Sequence, residues 1–183
     1  MSDVRGAGSG PLPGLTTSAV QDEAHIGPNW ELRGELIDGV RLSEVRNIVT
    51  GNGATTELWR REWSTGMSEL AQVIHVALEP GAVSAWHLHR SQSDGVFVVG
   101  GSLRLVLYDP REGSPTAGKV DVLHLSNVRP TFVLIPTDVW HGLEVLGHEP
   151  ARFVNCFDAC YDYDDPDEWR LPHDSDEIPY RFS

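Results

Sequence analysis

A chain of 183 residues, 40% hydrophobic and 22% charged, fits one domain with a well-filled core and is short for two. Its 14 basic and 27 acidic residues give a formal charge of −13. That balance repels phosphate backbones and anionic lipids and argues against nucleic acid and membranes as partners, and no apolar run reaches membrane-spanning length.

The opening segment, "MSDVRGAGSGPLPGLTTSAV", lacks a basic region followed by an apolar stretch, so it does not read as a secretory signal, and a cytoplasmic location is expected. Its Gly, Ser, Pro and Thr content predicts a flexible N-terminal arm over residues 1–20, with a single domain over 21–183. Strand signals follow. "GVRLSEVRNIVT" alternates in part, and "LAQVIHVALEPG" is rich in β-branched residues and ends at a Pro80-Gly81 turn. "GVFVVGGSLRLVLYD" gives two strands hinged at Gly100-Gly101. "KVDVLHLS", "TFVLIP", "GLEVLG" and "ARFVNCF" come next, separated by turn sequences such as "DPREGSPTAG" and "GHEP". Many short strands with Gly/Pro turns predict an all-β sandwich or small barrel. The acidic, proline-broken tail from Asp162 predicts an irregular or short helical segment, with Trp169, Leu171, Ile178, Tyr180 and Phe182 packed against the barrel. Cys156 and Cys160 lie four apart, beyond disulfide reach along a strand, and read as two free, buried thiols.

The chemistry concentrates in "WHLHRSQSD". On a strand, residues two apart share a face, so His87 and His89 can enter a barrel interior together. Asp94 follows five residues later, and His141 comes from the later "IPTDVWHG". Three imidazoles and a carboxylate from neighbouring strands make a candidate transition-metal site on His87, His89, Asp94 and His141. Nitrogen-rich ligation points to Fe, Ni, Cu or Zn, and no organic cofactor is expected. A metal-free polar interior is the plainer reading of the same residues. Trp86 and Trp140 precede the histidines and should face away from the pocket. His75 reads as a strand residue, and His25, His124, His148 and His173 as solvated; Ser114 reads as a turn residue.

Gly81, His87, His89 and Gly101, followed by Pro136 and His141, resemble the two motifs of the cupins, with Asp94 in place of the first motif's glutamate and Asp138 in place of the second motif's glycine. A narrower resemblance runs from about residue 37 to 182. "LYDPREGSPTAGKV", "LIPTDVWHGLEVL" and "DSDEIPYRF" are similar, in the same order, to segments of the dTDP-4-dehydrorhamnose 3,5-epimerase branch. That resemblance implies a double-stranded β-helix (jelly roll), a homodimer, and a nucleotide-linked keto-sugar as the small-molecule substrate.

It also implies site residues. The family's catalytic base falls on His87, oriented by a tail carboxylate for which Asp174 is the nearest match and Asp176 the next. The arginine that meets the diphosphate is replaced by Ser84, the enolate-stabilising lysine falls near Asp94, and the tyrosine acid falls on Val154. Tyr161 is then the candidate acid, with Tyr163 beside it. Arg60, His89, Gln92 and Asn155 complete the candidate substrate contacts. A metal on His87 would occupy the lone pair that a base needs, so the two roles of that residue compete. Two other functions stay open: a metal-dependent cupin acting as isomerase, dioxygenase or lyase on another small molecule, and a non-catalytic sugar-binding cupin.

Overall fold

The computed structural model describes residues 34–183 except 64 and 68, together with 20, 24 and 26–28. The predicted arm over 1–20 therefore lies, apart from Val20, outside the described residues, as does His25. The chain divides into two compact units, Met1–Glu35 and Leu36–Ser183. The named strands all belong to the second.

Twelve strands run in chain order: β1 Arg41–Glu44, β2 Ile48–Thr50, β3 Gly53–Thr55, β4 Gln72–Leu78, β5 Val83–Leu88, β6 Asp94–Gly100, β7 Ser102–Tyr108, β8 Val120–Ser126, β9 Thr131–Ile135, β10 Trp140–Leu146, β11 Ala151–Phe157 and β12 Trp169–Arg170. They form two five-stranded sheets, ordered β1-β9-β6-β11-β4 and β12-β5-β10-β7-β8, plus the separate hairpin β2-β3. All the pairings are antiparallel. Strands that follow one another in sequence mostly lie in opposite sheets, the arrangement of the jelly roll. The predicted all-β class and jelly-roll fold hold. The tail is irregular around the two-residue strand β12; no helix occurs among the described residues.

Local chemistry explains the turns. At Pro80-Gly81 the Ala82 amide donates to the Glu79 carbonyl (3.0 Å), and Gly81 takes φ +75°, a value that penalises residues with a Cβ. Gly95 serves close approach instead. A Cβ there would lie 2.2 Å from the Phe132 ring, so Phe132 can cross β6 only because residue 95 has no side chain.

The inner faces of the sheets meet in a core that includes Val96, Leu103, Leu105, Val133, Ile135 and Phe153. Each such side chain contributes about 1.5–3 kcal/mol by leaving water. A second cluster joins Phe97, Phe132 and Cys156. The third covers the outer face of the second sheet, where Trp86 is fully buried against Ile178, Tyr180, Phe182 and Leu171. The tail residues pack as expected with one exception: Trp169 is 55% exposed, because it faces out from a strand at the sheet's edge. Cys156 is buried, and burial pushes its thiol up to about 11. Cys160 is exposed, contrary to expectation, because it lies past the end of β11; both cysteines are free.

The loop after β7 is organised by one carboxylate. Fully buried Asp109 accepts from the amide of Arg111 (3.0 Å), from its Nε (2.7 Å) and Nη2 (2.9 Å), and from the hydroxyls of Ser114 and Thr116 (2.6 Å each). Burial opposes ionisation of Asp109. The bonds from Arg111, Ser114 and Thr116 outweigh it and hold the carboxyl well below the usual range. Ser114 is thus a turn residue, as predicted.

Candidate active site

Between the two sheets lies a cavity of about 280 Å³, whose lining includes His87, His89, Gln92, Asp94, His141, Asn155, Tyr161, Asp167 and Glu168. The strands position these groups by register. His87 on β5 pairs with His141 on β10, so both rings share the inner face, 5.7 Å apart and nearly parallel. A bulge follows at Gly142, where a Cβ would meet Ala85 and Phe182 at 2.6 and 2.7 Å. Asp94 opens β6 in the facing sheet, and Asn155 comes from β11 beside it.

Two groupings emerge. In the first, the Nδ1–H of His89 donates to the Asp167 carbonyl (2.5 Å) and that of His141 to the Val139 carbonyl (3.2 Å). Those bonds assign the tautomers and leave both Nε2 lone pairs inward. They face Asp94 Oδ2 at 3.6 and 3.5 Å. Asp94 Oδ2 also accepts from Asn155 Nδ2 (3.0 Å), while its Oδ1 is buried without a partner. Burial raises the Asp94 carboxyl, against the charge of His89 and the Asn155 bond. Burial, then the charges of His89 and His87, push His141 down to about 3. Three acceptors thus converge within 4.8 Å of one another in a buried space, and the donor set fits a transition-metal ion.

His87 stands outside that group. Its Nδ1 faces Glu168 Oε1 at 3.3 Å and its Nε2 faces the Ser84 hydroxyl at 3.1 Å, so both ring nitrogens already have partners. The expected four-ligand set is corrected to three: His89, Asp94 and His141 converge, and His87 does not join them. Burial, assisted by the Arg170 charge and opposed by Glu168, lowers the His87 pKa and favours the neutral imidazole.

The carboxylate against His87 is also different from the expected ones. Asp174 is exposed and does not line the cavity, and Asp176 is exposed and pairs with Arg181. Glu168 takes that place because β12 pairs with β5, setting Arg170 opposite His87 and bringing the tail across the cavity two residues earlier. Glu168 also pairs with Arg170. Gln92, Asn155 and Tyr161 line the cavity as expected, whereas Tyr163 packs edge-on against Tyr161 at 5.2 Å and is 86% exposed. Arg60 is not brought to the cavity; it is exposed and pairs with Glu57 and Glu62 at 3.4 Å. Val154 packs beside Phe97 and Phe132, on the opposite face of β11 from the cavity-lining Phe153 and Asn155. A tyrosine at 154 would therefore point away from the cavity.

Sequence reasoning missed Asp167, Glu168 and Arg170. Within "DYDDPDEWR" nothing distinguishes one acid from the next, and the strand that selects among them has two residues.

Comparison with known proteins gives a consistent result. A family model described as dTDP-4-dehydrorhamnose 3,5-epimerase matches residues 35–180. A probable low-salt glycan biosynthesis epimerase of Haloferax volcanii, Agl13, is 36% identical over 139 residues, 75% of this chain and 89% of that protein. The spore coat polysaccharide biosynthesis protein SpsL of Bacillus subtilis is 33% identical over 148 residues, 81% of this chain and 97% of that protein. Among solved structures, a dTDP sugar isomerase from Desulfovibrio desulfuricans G20 superposes with a TM-score of 0.74 at 30% identity, covering 79% of this chain and 90% of that one.

Proposed function

Since the chain belongs to the dTDP-4-dehydrorhamnose 3,5-epimerase family and is a sugar epimerase of that class, we propose that it epimerises a nucleotide-linked keto-sugar with His87 as the base. The observation that carries this reading is the hydrogen-bonded line Ser84–His87–Glu168 at the cavity wall. With Nδ1–H held toward Glu168, Nε2 carries the lone pair, and rotation of the Ser84 hydroxyl exposes it to a substrate.

His87 takes a proton from the carbon beside the substrate carbonyl, and the electron pair moves onto the carbonyl oxygen as an enolate. Glu168 stabilises the imidazolium that forms. Tyr161 is the phenol that lines the cavity, and it returns a proton to the opposite face of the same carbon. Asn155 and Gln92 supply amide donors that orient the sugar. Base and acid both come from side chains, so the reaction calls for no organic cofactor. The test is incubation with dTDP-4-dehydro-6-deoxyglucose in deuterium oxide. Deuterium should enter at a carbon next to the carbonyl, and no incorporation at any enzyme concentration sinks the reading.

We also propose that His89, Asp94 and His141 bind one divalent ion of the Fe, Ni, Cu or Zn group, supported by the three convergent lone pairs and the orphaned Asp94 Oδ1. Such an ion would add positive charge to the cavity that His87 also lines. Asp94→Asn should lower metal content measured on untagged protein by at least about tenfold. Wild-type protein with far less than one metal per chain, and no rise in melting temperature on adding Zn²⁺ or Ni²⁺, refutes it.

Finally, we propose a cytoplasmic homodimer. Among the described residues the hairpin β2-β3 pairs with no other strand, and it exposes Ile48 (59%) and Val49 (79%), surface that a second copy can cover. Light scattering should give twice the 20.2 kDa chain mass. A monomer at micromolar concentration removes this part alone.

A further inference from the structure

Proton abstraction by His87 draws on Glu168 and asks of Ser84 only that its hydroxyl turn aside. Ser84 replaces the arginine that the family resemblance puts at this position, and the fold places its side chain with some care. On a regular strand, residues three apart face opposite sides. Here β10 advances two residues, from His141 to Leu143, while β5 covers three, from His87 to Ser84. That irregularity returns Ser84 to the side of His87, and both line the cavity between the sheets.

Three side chains then stand in line. Ser84 Oγ lies 3.1 Å from His87 Nε2, and His87 Nδ1 lies 3.3 Å from Glu168 Oε1. These separations suit a nucleophile, its base and an orienting carboxylate in an unliganded site. With Nδ1–H donated to Glu168, Nε2 is the nitrogen that accepts the serine proton. All three residues are half-buried, so a ligand in the cavity reaches them. The other two imidazoles, on His89 and His141, face Asp94 and stay out of the line. Arg170 lies opposite His87 in register, pairs with Glu168 and lines the same cavity.

We propose that Ser84 is a nucleophile and that this line gives the protein a second activity, the hydrolysis of short-chain carboxylic esters. The cavity, about 280 Å³, takes a small acyl group and excludes long chains. Ser84 Oγ bonds to the acyl carbon while its proton passes to His87 Nε2. The carbonyl electron pair moves onto its oxygen, where Arg170 meets the charge. The pair then returns, the bond to the alcohol oxygen breaks, and His87 gives the proton to that oxygen. Water adds to the acyl carbon in the same way, with its proton taken by His87. The bond to Ser84 breaks, Oγ recovers the proton, and the carboxylic acid leaves. Water is the one co-reactant, and nothing is oxidised or reduced.

The test is treatment of the whole untagged protein with diisopropyl fluorophosphate, which marks activated serines, followed by peptide mass spectrometry. Hydrolysis of p-nitrophenyl acetate is measured alongside. About one label per chain is expected, on Ser84, with loss of ester hydrolysis. Labelling should slow by about 100-fold or more in His87→Gln and by about tenfold or more in Glu168→Gln. Wild-type protein that takes no label on Ser84 overturns the proposal, and so does a folded Ser84→Ala variant that hydrolyses the ester at the wild-type rate. Deuterium exchange on the keto-sugar is read separately. Exchange without labelling removes the esterase activity and leaves the epimerase; labelling without exchange does the reverse.

Discussion

His87→Gln is expected to reduce deuterium incorporation into a keto-sugar substrate by roughly 10³-fold, within the range a positioned general base contributes. Glutamine keeps the polarity and approximate reach of imidazole and loses the basic lone pair. The same loss should not follow from His141→Gln. His141 makes its Nδ1 bond to Val139 and sits among the acceptors around Asp94, so its replacement disturbs binding before proton abstraction. Glu168→Gln should fall between, at roughly 10–100-fold, because it leaves the His87 ring hydrogen-bonded and removes the charge that stabilises the imidazolium. Equal losses in all three variants would mean that the histidines act as one polar cluster and that His87 has no separate role.

Asp109→Ala is expected to destabilise the protein by about 3–5 kcal/mol, the range found when one partner of a buried charged network is removed. The change strands the Arg111 guanidinium and amide, together with the hydroxyls of Ser114 and Thr116. For a domain of this size that corresponds to a drop in melting temperature of roughly 6–20 °C. Asp109→Asn should cost less, since its amide oxygen still accepts. Melting of Asp109→Ala within 2 °C of wild type would show that the loop after β7 does not depend on this carboxylate.

What the sequence disclosed follows from the range of the signal. The alternation that put His87 and His89 on one face is local, and the two strand pairs hinged at Gly81 and Gly101 carry their own turn chemistry, so both were legible. Trp86 was correctly turned outward on the same ground. The misreadings all depend on pairings distant in sequence. Glu168 meets His87 across 81 residues, and the choice among Asp174, Asp176 and Glu168 is made by β12 docking on β5, which no local pattern announces. The division of the histidines depends likewise on remote partners: Asp167 and Val139 turn two rings toward Asp94, while Glu168 and Ser84 engage the third. Val154 was read as a lost acid, but strand parity on β11 points it at Phe97 and Phe132, so position 154 could not have held the acid.

The placement of Glu168 also divides the chain into a part that builds the sheets and a part that completes the base. Strands β1 to β11, and with them both sheets apart from one edge, are contained in residues up to Phe157. That part of the chain holds the three imidazoles and Asp94. It does not itself supply the carboxylate facing His87, the carbonyl of Asp167 that orients His89, or the Ile178, Tyr180 and Phe182 cover over Trp86. Scaffold and chemistry are thus separate parts of the chain: the sheets carry the histidines, and the segment from Asp167 to Phe182, folded back over both faces of β5, completes the base.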